Sequence, residues 1–144
     1  MMELLPNSMS FRVIATIDVD DDEQIPPDFT GRVRRTFPSE QRYVAWYTAG
    51  HLDDPNKGYP AYRVHRADGK VKYEMHYTAG VLQDPDPRTP AVRGYYAGGG
   101  IHYEERYRGG RRHDGPRSEA AVRKWRADGT LRHELRYRDG VRLP

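Results

Sequence analysis

The chain is 144 residues long, a one-domain length, and its 36% apolar content includes eleven tyrosines. Such a composition builds a thin core against a sheet rather than a thick globular one. There is no cysteine, which excludes a disulfide frame and a cysteine-based zinc site. The formal net charge is only +3, yet it is unevenly spread. Residues 1–30 hold seven acids and one arginine, whereas residues 88–144 hold fourteen Arg/Lys and seven acids. This asymmetry points either to an electrostatic partner or to an acidic front lying on the chain's own basic back end. No basic start precedes an apolar run, and no apolar stretch approaches a membrane span. The expectation is a soluble cytoplasmic protein without a transmembrane segment.

In chain order, Met1–Ser10 reads as a frayed lead-in. Phe11–Val19 is rich in β-branched residues and predicts a strand. Asp18, Asp20 and Asp22 then resemble the start of a calcium loop. The sixth and twelfth places of such a loop need Gly and Glu but hold Glu23 and Phe29, so a solvated acidic turn is the better reading. Ile25-Pro-Pro-Asp28 is a rigid connector. Residues 1–30 thus form an N-terminal strand and acidic connector.

From Gly31 the chain repeats with a thirty-residue offset and no gaps. Tyr47, Tyr77, Tyr107 and Tyr137 align, as do Gly50, Gly80, Gly110 and Gly140. Glu74, Glu104 and Glu134 hold the same phase, and so do Arg63, Arg93 and Arg123. A fixed period in this range marks a repeat architecture whose units bury their faces on one another. The units are 31–60, 61–90, 91–120 and 121–144. Each reads as a strand, a turn at Asp-Gly69, Gly-Gly99 or Asp-Gly129, a second strand, and a closing Gly. The links between units, such as Leu82–Pro90, are Pro-rich and predict loops. No segment shows a helical period, and Pro and Gly make up 25 of 144 residues. The expected fold is all-β: one elongated antiparallel meander of hairpins with about eight or nine strands.

Two hairpin registers compete. A two-residue loop at Asp128-Gly129 pairs Arg123 with Glu134. A three-residue loop with Gly129 as a bulge pairs Trp125 with Leu131, Ala121 with Leu135 and, one unit earlier, Tyr95 with Ile101. The second register gathers Trp125, Leu131, Leu135 and Tyr137 on one face, and we adopt it. That face would also carry Tyr73, Tyr77, Tyr95, Tyr103 and Tyr107. The opposite face would carry Glu74, His76, Glu104, Arg106, Glu134 and Arg136.

The pattern Trp125…Asp128-Gly129…Leu131…Glu134…Tyr137…Gly140 resembles the bacterial variant of the MORN repeat, the YwqK-type family labelled antitoxin. The resemblance covers about residues 31–144. It is strong in the last three copies and weak in the first, where Pro38-Ser39 replaces Asp-Gly. It implies a sheet of hairpins without catalytic residues. Thirty residues per copy is long for the family, which makes the Pro-rich links insertions.

Six histidines invite a metal reading, but none forms a His-x-x-x-His pair and no cysteine assists. The in-phase glutamates predict a cross-strand ladder with Arg or Lys rather than an acid–base pair, because catalytic carboxylates need unlike environments. Arg108, Arg111 and Arg112, with tyrosine interleaved, are candidate anion contacts. No enzyme, cofactor or metal is expected. The leading expectation is a protein–protein interaction module, antitoxin- or immunity-like, that uses Tyr73, Tyr77, Tyr95, Tyr103, Tyr107, Trp125 and Tyr137. An assembly subunit that pairs through its sheet edges stands second. A weak nucleic-acid or anionic-surface binder through the basic third stands third.

Overall fold

The structure is a computed structural model that describes residues 2–4 and 13–144. The fold is all-β, a large meander-like sheet built from hairpins. The strands are β1 (Met2–Leu4), β2 (Val13–Asp18), β3 (Gly31–Thr36), β4 (Arg42–Thr48) and β5 (His51–Leu52). The second unit gives β6 (Tyr62–His65), β7 (Val71–Met75), β8 (Tyr77–Thr78) and β9 (Val81–Leu82). The third gives β10 (Val92–Tyr95), β11 (Ile101–Glu105), β12 (Tyr107–Arg108) and β13 (Arg111–Arg112). The fourth gives β14 (Val122–Trp125), β15 (Leu131–Leu135), β16 (Tyr137–Arg138) and β17 (Val141–Arg142).

The main sheet has eleven strands in the order β1-β2-β3-β4-β6-β7-β10-β11-β14-β15, with β5 attached to β4. Consecutive hairpins lie side by side, as the thirty-residue period requires. Two features depart from the sequence expectation at the N-terminal end. Met2–Leu4, read as frayed, pairs with Val13–Ala15. Strand β2 runs parallel to β3, so the sheet is mixed. The crossover is residues 19–30, about the length a parallel connection needs. Of the predicted strand Phe11–Val19, Phe11 and Arg12 lie outside the described residues.

Both competing registers occur in each of the last three hairpins. Near the turn Trp125 opposes Leu131, and Tyr95 opposes Ile101. One residue further on a β-bulge shifts the ladder. Arg123 then faces Glu134, and Val122, not Ala121, faces Leu135. The bulge follows from the turn: Gly129 sits at φ 88 and its N–H donates to Arg126 O at 2.9 Å. In the first unit Glu40 takes the left-handed place at φ 68, and β3–β4 pairs without a bulge.

Each unit also folds its end into a second, shorter hairpin, β4–β5, β8–β9, β12–β13 and β16–β17. The links, read as plain loops, carry the residue that joins these pieces. Asp54, Asp84 and Asp114 recur every thirty residues. Asp84 Oδ1 accepts from Ala91 N at 2.8 Å and from Tyr107 N at 2.9 Å, while Oδ2 accepts from Arg106 at 3.3 Å. Asp54 holds Ala61 N, Tyr77 N and the His76 ring in the same way. Asp114 holds Ala121 N, Tyr137 N and Arg136. In the thirty-residue repeat His76, Arg106 and Arg136 share one place. It supplies the donor for the aspartate of the link, and His76 and Arg106 are buried there.

The core lies at the N-terminal end. Val33, Tyr43, Ala45 and Val64 are buried on one face, and Val19, Ile25 and Phe29 close over them. Tyr43 donates to Asp22, which also receives Arg35, and Asp18 pairs with Arg34 at 2.8 Å. The acidic front thus lies on the first unit's own arginines, not on the basic C-terminal third.

Replacing Asp84 by Ala strands two backbone donors and a buried guanidinium. The expected loss is about 2–4 kcal/mol of unfolding free energy. Urea denaturation measures it, and a loss under about 0.5 kcal/mol would show that the link is held by other means.

Candidate interaction faces

Register decides which side chains share a face, because neighbours along a strand alternate and direct partners across strands agree. On one face two rows cross the sheet. The first runs Tyr43–Val64–Tyr73–Gly94–Tyr103–Lys124–His133. The second runs Val33–Ala45–Tyr62–Met75–Val92–Glu105–Val122–Leu135. Tyr43 and Tyr62 stack with centroids 5.1 Å apart, and Tyr62 and Tyr73 follow at 6.3 Å. Tyr103 lies flat over Gly94, where an added Cβ would stand 2.2 Å from the ring. Glycine is required there by that close approach. Burial pushes the phenols of Tyr62, Tyr77 and Tyr103 above their ordinary range, and neighbouring phenols add to the shift.

This face holds five of the seven predicted interaction residues: Tyr73, Tyr77, Tyr103, Tyr107 and Tyr137. All five are half-buried. Over the first unit the face is covered by residues 19–29; over the later units the rings stay partly open.

Tyr95 and Trp125 do not belong to it. The Tyr95 hydroxyl donates to Glu74 Oε1 at 2.9 Å, and the Arg123 guanidinium lies 5.4 Å over the Trp125 ring. Both sit on the charged face. The bulge is the reason. The register near the turn extends only to Tyr95 and Trp125, and beyond it the ladder has moved by one residue, which exchanges faces.

The charged face is organised by one cross-sheet row: Asp18–Arg34–Val44–Arg63–Glu74–Arg93–Glu104–Arg123–Glu134. Arg63 pairs with Glu74 at 3.0 Å and Arg93 with Glu104 at 2.6 Å. Arg123 reaches Glu104 from the other side at 3.3 Å. The ladder expected from the in-phase glutamates and arginines is thus present. Burial falls along it, from nearly buried Glu104 to exposed Glu134.

The candidate anion contacts are largely answered within the chain. Arg108 pairs with Asp139 at 3.1 Å. Arg112 bonds Glu105 and lies 5.5 Å over the Tyr137 ring. Arg111 is exposed beside Gly140. Sequence reasoning missed Asp54, Asp84 and Asp114, although their thirty-residue spacing was a signal inside the Pro-rich links. Among the described residues no group of three His, Asp or Glu is placed to hold a metal ion, and no helix is long and apolar enough to cross a membrane.

Set beside family models, curated proteins and solved structures, the chain matches none of them.

Two outcomes test these faces. Glu104→Gln should lower stability by about 2 kcal/mol, because its nearly buried carboxylate answers two arginines. Glu134→Gln, at the exposed end of the row, should change it by less than about 0.5 kcal/mol. Thermal unfolding of both variants decides whether burial or mere membership in the ladder sets the cost. The raised phenols act at the other end of the pH scale. Their folded pKa exceeds the unfolded value of about 10, so their stabilisation is intact below that value and is lost as pH rises above it. Unfolding free energy should fall as pH rises from about 10 upward, and Tyr62→Phe should blunt the fall.

Proposed function

We propose that this chain is a MORN-like repeat sheet that acts without catalysis, as a protein–protein interaction module of antitoxin or immunity type. The observation that carries the reading is the tyrosine face. Over the first unit the aromatic rows are sealed by residues 19–29 of the chain itself, in which Ile25 and Phe29 lie against them. Over the next three units the rows continue through Tyr73 and Tyr103, and Tyr77, Tyr107 and Tyr137 of the short hairpins follow the main strands, all half-buried. A partner strand or loop lying there would repeat the packing that the chain makes with its own N-terminal segment. Tyrosine supports such a role, since it offers apolar area and a hydroxyl at low cost in conformational entropy.

Assembly through a sheet edge is a second reading. Among the described residues β15 pairs on one side only, and Leu131 and Val141 beside that edge are exposed. The pairing of Arg108 and Arg112 with acids weakens the third reading, binding through the basic third.

The test is co-purification from the native host with the double variant Tyr77→Ala/Tyr107→Ala alongside. A stoichiometric protein should accompany the native chain and be lost from a folded variant. A native chain that emerges alone under several conditions counts against the reading. Light scattering separates the assembly alternative, which requires a mass that grows with concentration.

A further inference from the structure

The charge row has one fault. From Asp18 to Glu134 the nine positions alternate in sign except at Val44, which stands where the later units place Glu74, Glu104 and Glu134. Its two direct partners are Arg34 and Arg63. The next same-face row adds Thr36, Arg42 and His65, with Arg42 and His65 directly opposed. The Arg42 guanidinium has no hydrogen bond or ion pair to any described residue, although it lies beside Arg34 in the same wall.

A concavity of about 350 Å³ opens over this spot, and Val44, Arg34, Thr36, Arg42 and His65 line it. Asp18 is the one carboxylate in its wall, and it is committed to Arg34 through two contacts of 2.8 and 3.1 Å. Arg35, also in the wall, is held by Asp22. Burial, with Arg63 and Arg42 close by, holds the His65 imidazole below its ordinary value against the opposing pull of Glu74. Arg34 is held by Asp18 and Arg63 by Glu74, so among the described residues the Arg42 guanidinium is the cation beside this apolar floor left to meet an anion. At the matching place in the third unit that anion is the Glu104 carboxylate, which meets Arg93 and Arg123.

We propose that the concavity over Val44 is an oxyanion site, filled by a carboxylate or phosphate group that takes the place of the missing glutamate. Arg42 and His65 donate to the oxygens, and Arg34 in the same wall adds positive charge. A guanidinium suits either group, because its paired N–H donors match two oxygens at once. The site is independent of the tyrosine face and stands whether or not that face binds a protein.

Backbone amide spectra of the full chain, titrated to about 10 mM with inorganic phosphate and separately with a blocked Glu-containing tripeptide, test this against chloride of equal ionic strength. Either probe should shift amides of β3, β4 and β6 saturably. Phosphate alone acting, or acting more tightly, assigns a phosphate ligand; the peptide acting alone or more tightly assigns an acidic side chain. Arg42→Gln should weaken binding about tenfold, the loss of one charge-assisted contact. Val44→Glu supplies the missing carboxylate from within, so it should abolish binding and raise the melting temperature. If Val44→Glu does not fold, Arg42→Gln with His65→Gln carries the test. The proposal is overturned if neither probe exceeds the chloride control, or if the shifts survive these substitutions.

Discussion

The row of alternating charge that crosses the sheet is the constraint on which the rest depends. Glu104 is nearly buried between two guanidinium groups, and a carboxylate so placed is tolerable only when its partners are held in position. Register supplies that positioning. Each arginine on an outgoing strand opposes a glutamate on its own return strand, and the next arginine opposes it from the other side. The ion pairs of the row close the second and third hairpins, and Arg123 on Glu104 ties the fourth unit to the third. A one-residue slip would break every pair at once and turn the aromatic rows to the wet side.

The aspartates of the links complete this linkage at the strand ends. Asp54, Asp84 and Asp114 each receive two backbone donors, and these come from the start of the following hairpin and from the second, short hairpin. The ordering of a Pro-rich link follows from satisfied backbone groups rather than from apolar burial, which is thin in this chain. The N-terminal segment does the same for the first unit by other means. It adds apolar cover from Val19, Ile25 and Phe29 and lays Asp18 and Asp22 on Arg34 and Arg35.

The two faces serve different ends. The aromatic face grades from a sealed core over the first unit to half-open rings over the later ones. The charged face pairs Arg63, Arg93 and Arg123 with glutamates, and over Val44 the repeat departs from its own pattern. Departures from local consistency concentrate where a protein meets something else, and the fault falls beneath a concavity rather than on a flat stretch.

From the sequence alone came the thirty-residue period, the all-β class, the turn positions and the pairing of in-phase glutamate with arginine. These follow from local chemistry: glycine at left-handed turn positions, alternation along strands, and identical residues at identical phase. Only the tertiary structure decided how the faces are shared out. The bulge beside each turn moves Tyr95 and Trp125 to the charged side while Tyr73 and Tyr103 stay on the other, and both registers had looked self-consistent in the sequence. The roles of Asp84 and Val44 were hidden for a related reason. Asp84 meets a residue twenty-three positions away, and Val44 becomes a fault only when nine strands lie side by side in register, because a gap in a row exists only once the row is assembled.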